Sequence, residues 1–417
     1  MARIAAAYDY DELAHFRGRG EEGRATALEL FFDLVFVFAV TQLSHALVEH
    51  LTWSGAAETL FLLLVVWWAW SYTTWMTNWL DPDSGPVRLL LIAMMAASLL
   101  MAIAIPDAFG DRALLFAAGY VAVQVMRNAF MVVVSPPGSG LRDSFARIAI
   151  WSVATGALFI VGATLPTGGQ VAVWIAALIL DYAGPYARYW VPVLGRSDTA
   201  DWDIDGGLFA ERFQLFIIIA LGETIVLTGA TASDLEIDVA RGAAIVVALI
   251  GTAAFWWLYF DYVARITGRR LAESDDAGRL ARDAFSYIHI PLVAGIIVAA
   301  VGDEIVIAHP GDALSAAELA TVAGGPAIYL LGHVALRLRV AGSLSGRRLA
   351  AALACVAVGA AGARLPALAV AALVTCVLIA LIVAEALAAR RRRRLGEPTP
   401  PEAFEARLAA EAGTLPR

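Results

Sequence analysis

The sequence predicts an all-α polytopic membrane protein of about twelve transmembrane helices, arranged as two parallel six-helix repeats. Three observations predict it. Apolar residues make up 60% of the chain. They gather in windows of about 20 residues, the length that crosses a hydrocarbon layer roughly 30 Å thick. The positive side chains then sort onto one side of the spans so defined. Spans are expected to begin near Leu28, Glu58, Val87, Ala113, Phe145, Val171, Glu211, Ala240, Tyr287, Ala316, Arg348 and Pro366.

Residues 1–27 form a charged tail without an apolar stretch of the kind a cleavable signal carries, so the first span is expected to direct insertion. That span holds the run Glu29-Leu-Phe-Phe-Asp33-Leu-Val-Phe-Val-Phe-Ala-Val-Thr41-Gln42-Leu-Ser-His45. A carboxylate near the bilayer core costs roughly 2.5–3.5 kcal/mol on insertion scales, so a membrane helix keeps one only where a partner or water meets it. The second span carries the cluster Trp67-Trp68-Ala-Trp70-Ser-Tyr72, read as packing or as interfacial anchors. The fifth, preceded by Arg147, ends in Gly-Ala-Thr-Leu-Pro166, and the sixth encloses Asp181.

A polar linker over 193–210 separates this first repeat, 28–192, from a second over 211–389. Its residues Asp198, Asp201, Asp203 and Asp205 have alternating spacing but lack the glycine and distal glutamate of a calcium loop, and read as a solvated linker. The second repeat reproduces the landmarks of the first in order. Glu211-x-Phe213 answers Glu29-x-Phe31, and Trp256-Trp257-Leu-Tyr259-Phe-Asp-Tyr262 answers the first aromatic cluster. Arg348 precedes a helix ending Gly-Ala-Arg-Leu-Pro366, as Arg147 does in the first half. Six being even, the units enter the membrane in the same sense, and sites in such repeats fall between the halves.

Charge supports the span count independently. The chain has no lysine, and of its thirty arginines only Arg112, Arg241 and Arg364 fall on the outer side if both termini are cytoplasmic. The run Arg390–Arg394 opens the tail 390–417 and is read as a topology signal rather than a nucleic-acid patch. The net charge of −8 comes from loop and tail carboxylates and points to no acidic partner.

Superposing the halves on their leading glutamates suggests two polar layers roughly 18 Å apart along the helices. Glu29, Asp33 and Glu211 form the inner layer; Thr41, Gln42, His45, Glu223 and Thr224 form the outer one. Glu29 also sits where an acidic group caps a helix and meets its dipole. Glu223 lies too deep for capping, and Gly222 before it would admit a close backbone neighbour. Asp181, Asp303 and Glu304 are candidates of second rank, with Asp303-Glu304 near the outer end of the ninth span. Arg127, Arg188 and Arg337, near inner ends, either snorkel or neutralise a buried carboxylate. His289 and His333 read as hydrogen-bonded packing residues, and Cys355 and Cys376 as small packing residues with no disulfide or metal spacing. No nucleophile elbow, phosphate loop, zinc helix or dinucleotide fingerprint is present, so neither a catalytic set nor a cofactor is predicted.

The segment Glu29-Leu-Phe-Phe-Asp-Leu-Val-Phe, together with Leu-Gly-Glu223-Thr-Ile-Val, resembles the low temperature requirement A family of bacterial membrane proteins, from about Arg24 to the last span. The resemblance implies a multi-span protein of the bacterial inner membrane and names no substrate. Over one helix, Phe31-Phe-Asp33 and the residues after it are also similar to the Phe-Ser-Asp first-helix motif of lysosomal and bacterial potassium channels. The likeness departs at Phe32, where those channels have Ser, and at Leu215, where the second half would need Asp. The reading that follows is a channel or transporter for a cation, a proton or another small solute in the lipid bilayer, with no nucleic-acid partner and the oligomeric state left open. The rival is a lipid-modifying enzyme or a non-transporting envelope stress factor.

Overall fold

The computed structural model describes residues 16–17, 24–198, 201–202, 204–274, 276–399, 402–403 and 406. Asp203 and most of the two tails lie outside the described residues. Among the described residues, eleven helices are long and apolar enough to cross a membrane, and Thr167–Ala183, at 17 residues, is a shorter apolar one. The twelve expected spans therefore all appear as helices, the sixth falling short of the usual spanning length. No strand occurs among the described residues, only isolated bridges such as Ala313 with Pro366.

The helices are α1 Ala27–Glu49, α2 Trp53–Trp79, α3 Gly85–Ala104, α4 Ala113–Val134, α5 Gly140–Gly162, α6 Thr167–Ala183, α7 Gly206–Ser233 and α8 Val239–Leu258. There follow α9 Ala264–Ala272, α10 Ala277–Leu280, α11 His289–Ala308, α12 Ala316–Ala341, α13 Gly346–Ala361 and α14 Ala367–Arg394. Two π-helical segments, Tyr259–Val263 and Ala281–Tyr287, join α8 to α9 and α10 to the turn before α11.

The chain divides into two compact units. The first comprises Met1–Leu43, Leu60–Arg212 and Asp276–Arg282. In it α3 packs on α4, α4 on α5 and α5 on α6. Phe61, Phe109, Phe116 and Phe159 surround Trp174, whose indole N–H donates to the Phe159 carbonyl at 2.9 Å. Large apolar side chains that face outward, such as Leu89, Val153 and Ile179, need no cover where the surroundings are hydrocarbon. Of the linker carboxylates, Asp205 accepts from the Leu208 N–H at 3.0 Å and starts α7, and Asp201 accepts from the Ser144 hydroxyl at 3.2 Å. They work as caps and tethers.

The second unit comprises Ser44–Thr59, Phe213–Asp275 and Asp283–Arg417. Its tightest pair is α11 with α12. A Cβ at Gly295 would stand 2.6 Å from the Tyr329 nitrogen, and one at Gly325 would stand 2.5 Å from the Ala299 nitrogen. Backbones this close require residues without side chains, as in membrane helix pairs, where no hydrophobic drive pulls the helices together and contact must come from fit. Ser315 and Glu318 close a capping box at the start of α12, Gly342 ends the helix with φ 61°, and Pro326 interrupts its hydrogen bonding midway. Ala248, Val306, Val322, Ala367 and Val370 belong to the core shared by α8, α11, α12 and α14.

Candidate functional site

Glu29 and Asp33 lie one turn apart on α1, and both are fully buried. Thr26-Ala-Leu-Glu29 is a capping box: the Glu29 N–H donates to the Thr26 hydroxyl at 3.3 Å, and the Thr26 N–H donates to Glu29 Oε2 at 2.9 Å. Arg17 Nη2 meets the same oxygen at 2.8 Å. The second cation comes from α7. Arg212, 1% exposed, places Nη1 2.7 Å from Glu29 Oε1 and donates through Nη2 to Asp33 Oδ1 at 2.7 Å. The Trp70 indole donates to that Asp33 oxygen at 2.8 Å, and Thr77 accepts from Arg212 at 3.3 Å. Two carboxylates and two guanidiniums thus balance in charge, which is what permits their burial. Asp33 Oδ2 and Arg212 Nε nevertheless have no hydrogen-bond partner among the described residues.

Arg212 and Trp70 were not among the residues singled out from sequence. Arg212 was counted as an inner-side arginine, although it stands seven residues into an apolar helix. Trp70 belonged to a cluster read as anchors or packing, and Trp67, Trp68 and Trp70 are in fact all buried. In the second cluster, Trp256 and Trp257 are half exposed. Glu211 lies beside Arg212 but accepts from the Ala25 backbone N–H at 3.2 Å. Farther along α1, the Thr41 hydroxyl donates to the Val37 carbonyl at 3.2 Å, Gln42 is half-buried and His45 is exposed.

A second buried network in the same unit collects two of the second-rank residues. Tyr120 donates to Asp181 Oδ2 at 2.6 Å, and Gln124 donates to the Tyr120 hydroxyl at 2.9 Å. Arg127 donates to Gln124 Oε1 and, through Nε, to Asn128 Oδ1 at 3.2 Å. Asn128 passes the chain on to Ser152 at 2.8 Å. Arg127 also lies 5.1 Å from the centre of the Tyr72 ring, and the Tyr72 hydroxyl pairs with that of Tyr189. Asp181 and Arg127 therefore face each other through a relay of neutral side chains. Arg188 instead reaches the Ser197 carbonyl at 2.8 Å.

In the second unit Glu223 and Thr224 are buried on α7. Thr224 donates to the Leu221 carbonyl at 2.7 Å and lies 2.8 Å from the Thr252 hydroxyl of α8. Nothing stands within 4 Å of where a Cβ of Gly222 would be, so that glycine serves no close approach among the described residues. Asp303 and Glu304 are only partly buried on α11, and Arg337 donates to Ser343 at 3.2 Å. His333 and His289 are fully buried and hydrogen-bonded, the first to Arg348 at 2.9 Å and the second to Tyr259 at 2.8 Å. Arg348 further holds Glu385 through Nε at 3.0 Å and Nη2 at 3.1 Å. No three His, Cys, Asp or Glu side chains converge among the described residues.

These helices and buried charges have counterparts in known proteins. Residues 24–383 match the family described as bacterial low temperature requirement A protein (LtrA). An uncharacterized protein of Rhizobium meliloti (strain 1021) is 38% identical over 316 residues, which is 75% of this chain and 76% of that protein. No solved structure matches the chain. A match over residues 24–383, on a chain with eleven helices able to cross a bilayer, makes this a multi-pass membrane protein that belongs to the bacterial LtrA family.

Proposed function

We propose that the protein is a channel or transporter for an ion or small solute in the bacterial inner membrane, with both termini cytoplasmic and a twofold repeat of six spans. The observation that carries the reading is the Glu29–Asp33–Arg212 cluster. A membrane protein with only a structural task has cheaper ways to pack α1 against α7, since buried ion pairs give up most of their Coulomb gain to desolvation. Ionisable groups kept inside spans mark pathways and relays. Asp33 supports this further, because one of its oxygens has no hydrogen-bond partner among the described residues and is available to a solute, a water or a proton. The buried Asp181–Arg127 relay and Glu223 add ionisable groups at span depth in both units. The arginine asymmetry supports the orientation, and the ordered landmarks support the repeat.

Flux measurement tests the reading. Purified protein in liposomes is assayed for K⁺, Na⁺ and H⁺ movement as pH is varied, with Glu223→Gln and Asp33→Asn in parallel. The expected result is flux in the wild type and a loss of at least tenfold in each variant that still elutes as a folded protein. Undiminished flux in both variants would overturn the assignment of these carboxylates, and a side opening to lipid beside them would favour the lipid-modifying enzyme instead.

A further inference from the structure

Asp303 is set apart from the other carboxylates inside the spans by what it faces. It borders a cavity of about 30 Å³ in the second unit, whose wall also includes Thr252 of α8, Val322 and Pro326 of α12 and Thr375 of α14. By helix rise, Asp303 stands about 8 Å from the end of α11, and Thr375 about 12 Å from the start of α14. Both lie well inside their spans. A cavity that admits at least one water-sized body needs about 10–15 Å³. This one has room for a small ion and a water.

One hydroxyl of the wall offers lone pairs only. Thr224 spends its single hydroxyl proton on the Leu221 carbonyl, so Thr252 must be the donor in the contact between the two threonines. With its proton committed, Thr252 presents only lone pairs to the cavity. Pro326 has no N–H to give the Val322 carbonyl, and both residues border the cavity. The Thr375 hydroxyl stands 3.6 Å from where a Cβ of Gly251 would be, so the glycine keeps the space in front of it open. Asp303 is the only ionisable side chain in the lining, and no arginine or histidine is there to balance it.

We propose that the cavity bounded by Asp303, Thr252 and Thr375 binds a monovalent alkali cation of about sodium's size. The donor set is hard oxygen, which suits alkali and alkaline-earth ions over transition metals. A single carboxylate neutralises a single positive charge, whereas a divalent ion would remain half compensated at this depth. The proposal is independent of flux, since a bound ion registers at equilibrium whether or not anything is transported.

Equilibrium binding of radioactive ²²Na⁺ to the purified full chain in detergent, with thermal unfolding in Na⁺, Li⁺, K⁺ or N-methylglucamine, tests it. The expected result is saturable binding and a rise in unfolding temperature with one of the alkali ions over N-methylglucamine. Asp303→Asn is expected to weaken that binding at least a hundredfold. Thr375→Val, which keeps the shape and breaks no hydrogen bond, is expected to weaken it about tenfold. Absence of any alkali-ion effect in the wild type would leave a hydrated pocket only and overturn the proposal, as would binding that both variants retain unchanged.

Discussion

Asp33 in the first unit and Asp303 in the second are both carboxylates on apolar helices, and their surroundings differ in kind. Asp33 is met by the Arg212 guanidinium at 2.7 Å and the Trp70 indole at 2.8 Å, within a cluster whose formal charges cancel. Asp303 borders a cavity also lined by Thr252 and Thr375, and no arginine or histidine belongs to that lining among the described residues. The counter-charge is thus built into the protein in one place and left to the surroundings in the other. Removing a partner should test the first arrangement, and removing the carboxylate itself should separate the two.

The largest effect is expected at Arg212. Arg212→Met leaves Asp33 with no compensating cation and Glu29 with Arg17 alone, and breaking a buried pair from one side costs about 3–5 kcal/mol. Denaturant titration in detergent measures it. If the cost comes from orphaned charge, adding Glu29→Gln and Asp33→Asn to the same chain should recover most of the loss. A triple variant as unstable as the single one would mean that Arg212 matters by its packing. Trp70→Phe comes next. It keeps an aromatic ring but loses part of the buried indole's volume along with the N–H that Asp33 accepts, for an expected loss of at least about 1.5–3 kcal/mol, the range for hydrogen bonds to charged groups. A loss below about 0.5 kcal/mol would show that Arg212 alone holds Asp33.

Why the fold could be read from the sequence, and the partners only in part, follows from the physics of each signal. Span length and arginine sidedness are additive along the chain, so the twelve helices emerge at nearly the expected positions, for example Ala113 for α4 and Ala316 for α12. The starts of α2, α5 and α7 differ most, each lying five residues before the expected one, and α6 is shorter than a usual span. The first-helix carboxylates were equally visible, because an acid in an apolar run contradicts its surroundings. Thr26-Ala-Leu-Glu29 spells its own capping box, but Thr26 stands just outside the predicted span. Arg212 is hidden because sorting arginines by side assigns each to a loop or tail, whereas this one is buried. Trp70 could not be told from its tryptophan neighbours, because which face of α2 is buried is a tertiary fact. The Asp303 cavity was the least legible. It needs Pro326 and Thr375 brought next to α11 from elements remote in sequence.

The smallest expected effect draws the sharpest line between the two carboxylates. Measured in N-methylglucamine, Asp33→Asn should destabilise by about 1–2 kcal/mol, because it weakens two charge-assisted hydrogen bonds and leaves Arg212 partly uncompensated. Asp303→Asn should change stability by less than about 0.5 kcal/mol, or raise it, because it removes a partly buried charge that no protein cation offsets. With the favoured alkali ion present the sign at Asp303 should reverse, the wild type gaining stability that the variant cannot. That reversal is confined to a group whose counter-charge comes from solution. Asp33, whose counter-charge is built into α7, should give the same destabilisation in every salt. A salt-independent loss at Asp303 would show that its counter-charge, like that of Asp33, comes from the protein.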